Sequence, residues 1–397
     1  MGLEQRLRDV QHFGEEGGVV PAIDLAATST FLNPEEMEAT FAGQKEGCYL
    51  YSRHSNPTVE MFGKKMAALE NTEAAVGVAS GISAIATALE QIFFGADSAA
   101  GGGEMISSQT VYGGTYALFK NIFPKQGIQV RFVNTEDIAA VEGAITPQTK
   151  VIYTETLSNP LLSASPLREL KKLAVRHNLK LVVDNTFTPC IVTPADLGAD
   201  VVIHSATKYL SGASDMIAGV ICGNKKFIES LRDLNHGCLM LKGAVMDPKI
   251  AHELYLRLDH LPLRMKAHSQ SAQFLAKSLA EKGLKVIYPG LNSHPHHQLL
   301  KSMQNSEFGF GGMMAIEFES SDAAMRVAQR LQEAKFGLYA VSLGFSRTLM
   351  TVPAVTTSSE ITEEDQQKMN LSKGLLRLSI GYMGEDQELL KRFLACL

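Results

Sequence analysis

Tryptophan is absent from these 397 residues, and cysteine occurs five times, at positions 48, 190, 222, 238 and 396. The missing tryptophan excludes nothing. The cysteines are odd in number, scattered and without a Cys-x-x-Cys pair, which argues against disulfide and zinc frameworks and for free thiols in a reducing cytoplasm. No apolar run approaches the ~20 residues that span a bilayer. The opening stretch, Met1 to Leu7, is polar and has no apolar signal core, so no membrane partner is expected. Basic residues number 37 against 42 acidic ones, a net charge of −5 with no basic stripe, so nucleic acid is not an expected partner either. Also missing are a Gly-x-Gly-x-x-Gly turn and a Walker-type lysine loop, without which a nucleotide-binding module has little support.

What remains is a globular composition, 45% hydrophobic and 20% charged, on a chain long enough for two domains. Residues 1–58 hold few apolar runs and read as an N-terminal arm, the kind of segment that packs on a second subunit. From 59 to 245 the pattern is α/β. A helix at 59–69 and a small-residue strand at 74–79 lead to the turn Ser80-Gly81-Ile82-Ser83 and a second helix, 84–94. Short apolar runs at 104–107, 129–133, 151–155, 180–183 and 200–203 read as buried parallel strands, and 219–223 as a return strand. The glycines at 101–103 mark a loop, Tyr112 opens a helix, and 167–178 is amphipathic. From 246 to 397 the pattern becomes α+β. A long helical stretch runs from 247 to 282 with a break near Leu261-Pro262, and a helix spans 322–335. Strand candidates lie at 284–288, 313–319, 339–342 and 375–380.

The chemistry gathers around His204-Ser205-Ala206-Thr207-Lys208-Tyr209, directly after a buried strand. Two hydroxyls flanking a lysine suit a phosphate-bearing aldehyde: Ser205 and Thr207 donate to the phosphate, and the Lys208 amine forms a Schiff base. The Ser80-Gly81-Ile82 turn aims unpaired backbone N–H groups at an anion. Asp184 ends a strand where ligands of open α/β sheets lie, and its carboxylate can hold a pyridinium N–H. Tyr112, at a helix mouth, can stack on a ring. Arg377 is a charge inside an apolar strand and needs an anion, either a structural carboxylate or a ligand. Together these describe pyridoxal 5′-phosphate (PLP), with Arg377 left to hold an amino-acid carboxylate. His294-Pro295-His296-His297 has no cysteine or carboxylate nearby, so no metal is expected. The acidic run 360–365 reads as a solvated loop.

The motifs Tyr51-Ser52-Arg53, Ser55-Asn56-Pro57-Thr58, Ala79-Ser80-Gly81, Val183-Asp184-Asn185-Thr186, His204-Ser205-Ala206-Thr207-Lys208-Tyr209 and Ser342-Leu343-Gly344 occur in that order. In this the chain resembles the Cys/Met-metabolism family of PLP enzymes, which includes cystathionine γ-synthase, cystathionine lyases and methionine γ-lyase. The resemblance implies fold type I, as in aspartate aminotransferase: a large, mostly parallel sheet binding PLP, a smaller α+β C-terminal domain and an N-terminal arm. It also implies roles. Lys208 carries the cofactor, Asp184 pairs with its pyridine nitrogen, Tyr112 stacks on the ring, and Asn159 lies near the phenolic oxygen. Gly81, Ile82, Ser205 and Thr207 hold the phosphate, with Thr186 in the same motif as Asp184. Tyr51 and Arg53 reach the phosphate of a neighbouring subunit, so the resemblance implies at least a dimer; family members are usually tetramers. Ser342 and Arg377 hold the substrate carboxylate.

Within the family, cystathionine γ-lyases often carry an acid before Ser-Leu-Gly, where this chain has Val341. Bacterial methionine γ-lyases often place a cysteine where Gly114 stands, and a Lys-Asp pair at Leu239-Met240. The run 238–241 and the segment 288–295 are more similar to plant-type methionine γ-lyases. The expectation is a carbon–sulfur lyase acting on a small amino acid, methionine first, with Lys208 and Tyr112 catalytic. The alternatives are a cystathionine β-lyase, or a cystathionine γ-lyase or γ-synthase.

Overall fold

Residue alternation in three neighbouring strands decides which side chains reach the site. The computed structural model describes residues 1–10, 18–42, 44, 45, 47, 49–96, 102–356, 362–369 and 371–397. Cys48, Gly101 and the start of the acidic run at 360–361 lie outside the described residues. The larger sheet has seven strands: β1 (Ala74–Val78), β2 (Gly103–Ser108), β3 (Ile128–Val133), β4 (Thr149–Glu155), β5 (Lys180–Asp184), β6 (Val201–Ser205) and β7 (Gly219–Gly223). Their spatial order is β1-β7-β6-β5-β4-β2-β3. All pairings are parallel except those of β7, which runs against both β1 and β6. The return strand expected at 219–223 is this one.

Side chains alternate across a strand, so each central strand feeds two cores. Ile152, Leu181, Val183 and Val202 join the core beneath the Pro57–Glu70 helix. Val151, Tyr153, Val182, Val201 and Ile203 join the core beneath the Gly81–Phe94 helix. The same parity carries past the last apolar residue of each strand. Glu155, Asp184 and Ser205 therefore end β4, β5 and β6 on the face of the Gly81–Phe94 helix, at the carboxyl edge where α/β sheets take their ligands.

A smaller sheet, in the order β10-β11-β12-β9-β8, is built from β8 (Val286–Ile287), β9 (Met313–Glu317), β10 (Leu338–Tyr339), β11 (Leu349–Thr351) and β12 (Leu375–Ser379). The Leu261–Glu281 and Ser321–Glu333 helices pack on it through Ala272, Leu275, Ala276, Val327 and Leu331. The break in the long helical stretch falls between Leu258 and Leu261, with Pro262 in the first turn of the second helix, where its missing N–H costs nothing.

Two expectations need correction. The strand read at 339–342 ends at Tyr339, and Ser342 has φ 91°, outside strand conformations. Residues 1–58 are not free of core contacts: the Leu3–Asp9 helix folds back on its own chain. Leu3 and Leu7, one turn apart on the same face, are each 4% exposed, and Arg6 Nε donates to the Ala68 carbonyl at 2.8 Å. Farther along, Val19, Ile23, Leu25, Leu32 and Phe41 remain exposed. The Ile138–Ala144 helix and β11 went unread because each is short and weakly patterned.

Candidate active site

A cavity of about 290 Å³ opens at the carboxyl ends of β4, β5 and β6. Its wall includes Gly81, Ile82, Tyr112, Asn159, Asp184, Thr186, Ser205, Thr207, Lys208, Val341, Ser342 and Arg377. All but two of the site residues read from the sequence thus meet in one place. The exceptions are Tyr51 and Arg53. Both are exposed, and Arg53 instead donates to the Met240 carbonyl at 2.7 Å, its guanidinium 5.5 Å from the centre of the Tyr51 ring.

One end of the cavity is lined by the N-terminus of the Gly81–Phe94 helix. Ser80 caps the Gly81–Phe94 helix, its hydroxyl accepting from the Ser83 N–H at 3.0 Å. In such a first turn the N–H groups of Gly81 and Ile82 have no intrahelical acceptor. Gly81 is needed for contact: a Cβ there would stand 2.6 Å from Ser205 Cβ and 2.9 Å from its Oγ. Thr207 is less free than expected. Its hydroxyl lies 3.2 Å from the Ala218 carbonyl and accepts from the Ala218 N–H at 3.0 Å. Thr186 also works inside the protein, its hydroxyl accepting from the Ser205 N–H at 2.8 Å and its own N–H donating to Asp184 Oδ1 at 2.9 Å.

Asp184 and Glu155 are directly paired in the β4–β5 register. Burial raises the Asp184 carboxyl, opposed chiefly by the Thr186 hydroxyl and N–H. Burial, and then the Asp184 charge, raise the Glu155 carboxyl, opposed by two backbone N–H donors. Asn185 points the other way. Its amide bridges Glu70 Oε1 at 3.0 Å and the Val192 carbonyl at 2.9 Å, while His204 Nε2 meets the same Glu70 oxygen at 2.7 Å. Asn185 and His204 therefore brace the strand ends from behind.

Lys208 Nζ donates to Ser342 Oγ at 2.8 Å. Burial, followed by the Arg377 charge, lowers the amine from 10.5 to about 8. Arg377, in β12, is 3% exposed, and burial brings its guanidinium down to about 10. It donates to Asn159 Oδ1 at 2.8 Å and to the Ser342 carbonyl at 3.3 Å. No carboxylate among the described residues pairs with it, so the structural-partner alternative fails, leaving a buried cation that faces the cavity.

The sequence reading missed Glu155, although it ends an apolar strand in the same way as Asp184, and missed the apolar wall of Leu157, Phe187 and Ile217. The histidine run serves structure: His296 Nδ1 accepts from the Ala164 N–H at 2.8 Å, and His297 Nδ1 meets the Pro289 carbonyl at 2.8 Å. Among the described residues no group of acids, cysteines and histidines could hold a metal, and no helix is long and apolar enough to cross a membrane.

These groups fit PLP: an anion cradle in which Gly81 packs so closely on Ser205 that no Cβ fits, an amine of lowered proton affinity, a carboxyl for a ring N–H, and beyond them an arginine with no carboxylate partner among the described residues. The comparisons with known proteins agree. The chain is 42% identical to a methionine gamma-lyase of Arabidopsis thaliana over 95% of its length and 86% of the relative's. It is 37% identical to an L-methionine gamma-lyase of Pseudomonas putida, covering 92% of this chain and 89% of that one. A cystathionine beta-lyase of Lactococcus lactis is 37% identical over 84% of each chain. The crystal structure of a cystathionine gamma-lyase from Lactobacillus plantarum, complexed with L-serine, superposes with a TM-score of 0.87 at 31% identity, covering 100% of this chain and 99% of that one. A putative O-acetylhomoserine (thiol)-lyase from Campylobacter jejuni, with N′-pyridoxyl-lysine-5′-monophosphate, reaches 0.89 at 28% identity, with the same coverage. Residues 8–395 match the family described as Cys/Met metabolism PLP-dependent enzyme, and with a matching fold and a cavity that fits the cofactor, the chain belongs to that family.

Proposed function

We propose that this enzyme is a carbon–sulfur lyase that eliminates the γ-thiolate of methionine or a close thioether amino acid, giving a thiol, a 2-oxo acid and ammonia. The observation that carries this reading is Arg377: a guanidinium buried without a carboxylate is costly until an anion arrives, and its neighbours leave room for one beside Lys208. An amino-acid carboxylate meets that need with paired, charge-assisted hydrogen bonds.

Bound PLP supplies the electron sink for charge developing at Cα. The chain's own groups do the rest. Asp184 would hold the ring N–H, Gly81, Ile82, Ser205 and Thr207 would hold the phosphate, and Asn159 would meet the phenolic oxygen. Thr186 orients Asp184, and Thr207 orders the loop carrying Lys208. With the cofactor bound, Lys208 Nζ, more readily neutral because burial lowers its pKa, would take the Cα proton. Having passed that proton on, it would take a second from Cβ, the Cγ–S bond would break, and Tyr112 would hand a proton to the departing thiolate and be reprotonated from solvent. Return of a proton to Cγ and addition of water would release 2-oxobutanoate and ammonia.

The relatives support methionine as the substrate. Val341 is 60% exposed and Ile217 66% exposed in the cavity wall, and neither side chain offers a partner to the distal ammonium of cystathionine, so nothing there attracts that substrate over methionine. A cystathionine β-lyase is the second reading, favoured by the Lactococcus relative.

In our reading the chain is organised as an arm over residues 1–58, a PLP-binding domain over 59–245 and a C-terminal domain over 246–397. It works in the cytoplasm as at least a dimer, and as a tetramer by the family's habit. Tyr51 and Arg53, exposed and away from this chain's cavity, complete a neighbour's phosphate site.

The test supplies methionine and cystathionine separately and assays 2-oxobutanoate, pyruvate and free thiol. Methanethiol and 2-oxobutanoate from methionine are expected, with Val341→Glu shifting preference toward cystathionine. Pyruvate and homocysteine from cystathionine, with no turnover of methionine, would replace this reading with the second.

A further inference from the structure

Glu155 has no part in the chemistry above, yet it is a carboxylate 6% exposed in the cavity wall. Each of its oxygens accepts a backbone N–H: Oε1 takes that of Tyr112 at 2.7 Å, and Oε2 takes that of Asn159 at 3.0 Å. Both donors belong to residues whose side chains also line the cavity. Asn159 in turn accepts from Arg377 through its side-chain oxygen at 2.8 Å. One side chain thus joins the backbone that carries the stacking ring to the residue that holds the arginine.

The choice of a carboxylate is informative. Two N–H donors, one on each terminal atom of the side chain, require two acceptor oxygens, which an amide cannot offer. Burying this carboxylate beside Asp184 is unfavourable, and a wall needed only for packing would use an apolar residue. A further feature marks Tyr112 as the object being placed. A Cβ at Gly114 would lie 2.6 Å from Tyr112 Cε1 and 3.2 Å from its Cζ, so the ring lies directly over that glycine. The ring is confined from below by Gly114, and its backbone is tied from within by Glu155.

We propose that Glu155 is a positioning residue, a carboxylate clamp that sets Tyr112 against the cofactor ring and Asn159 against Arg377, so that stacking and carboxylate recognition are held in one register. This rests on the reading of the cavity as the PLP site. Glu155 exchanges no proton with substrate and touches no reacting atom.

The test is a double-mutant cycle on the PLP holoenzyme with Glu155→Gln and Tyr112→Ala. The amide keeps the size but turns an NH₂ toward one N–H, losing one hydrogen bond, which should lower kcat/KM about tenfold or more. Because Tyr112→Ala removes the ring that Glu155 places, the Glu155→Gln loss is expected to shrink to about threefold or less in the double variant, the remainder acting through Asn159, where independent effects would multiply. The second readout needs no turnover: circular dichroism in the visible band of bound PLP, normalised to PLP content, should change in Glu155→Gln. Should that variant not fold, Glu155→Asp, which keeps the charge but cannot span both N–H groups, is expected to show the same dichroism change and the same non-additivity. Multiplicative losses, or a dichroism spectrum and kcat/KM like those of the parent, would overturn the proposal. Because dichroism is read without substrate, an error in the choice of methionine would leave this result standing.

Discussion

Ser342 stands between the two cations of the site: its hydroxyl accepts from Lys208 Nζ at 2.8 Å, and its carbonyl accepts from Arg377 at 3.3 Å. It does so at φ 91°, a backbone region sparsely used by residues with a side chain. The contacts with Lys208, Arg377 and β12 hold it there, and Gly344 N–H adds a 2.9 Å bond to Ser379 Oγ. The two positive groups lie close enough for Arg377 to lower the proton affinity of Lys208.

The first prediction concerns the apo-protein's capture of PLP. Only the neutral amine attacks an aldehyde, so the capture rate should rise with pH through about 8, the value to which burial and Arg377 bring Lys208. Arg377→Met removes a positive neighbour and should move that midpoint upward. The same shift affects stability. A lysine whose folded value lies below 10.5 opposes folding fully below about pH 8, and this penalty fades as pH rises from about 8 to 10.5. A midpoint near 10.5 in a stopped-flow pH series would contradict the assignment.

Arg377→Lys keeps the charge and loses the two-pronged geometry. Truncating one side of a buried charge pair typically costs 2–5 kcal/mol, so KM for methionine should rise roughly 30-fold or more. The visible band of bound PLP should persist if Arg377 holds substrate and not cofactor, as proposed. Steady-state kinetics alongside an absorbance spectrum separate the two effects.

Gly81→Ala tests the anion cradle. The added methyl must stand 2.6 Å from Ser205 Cβ, and both positions are fixed, one in a helix's first turn and one at a strand end. PLP affinity should fall by about tenfold or more, as expected for losing one charge-assisted bond, with little change in KM for the fraction of enzyme that retains cofactor. Equilibrium dialysis of PLP reads the affinity directly.

Arg53→Ala probes the neighbour's contribution. If the arm completes a second subunit's phosphate site, the variant should lose PLP on dilution several-fold faster, while its own cavity is untouched. Sedimentation velocity with absorbance in the PLP band checks this. A stable monomer that retains PLP as tightly as the oligomer would contradict the arrangement.

Much of the site was legible because strand ends announce themselves. Asp184 and Lys208 each follow an apolar run, and the Ser80-Gly81 turn sits between a strand and a helix, so order along the chain was enough to place them at one edge. Arg377 was legible as a charge within an apolar strand. Glu155 obeys the same rule, but its role depends on the Tyr112 and Asn159 N–H groups that only the folded loops bring to it. Other features depend on tertiary contact and leave no local trace. The docking of Leu3 and Leu7 needs the Pro57–Glu70 helix as a partner, and the φ of Ser342 needs Lys208, Arg377 and β12 around it. The tie of the Thr207 hydroxyl to Ala218 likewise arises only when β7 returns beside β6.

The most direct test of the whole account is where PLP is attached. Reduction of the holoenzyme with borohydride, followed by protease digestion and peptide mapping, fixes the cofactor to the amine that carries it. The account predicts one pyridoxyl label, on Lys208, in the peptide containing Thr207 and Tyr209. A label on any other lysine, or none on a protein that shows the visible PLP band, would contradict it.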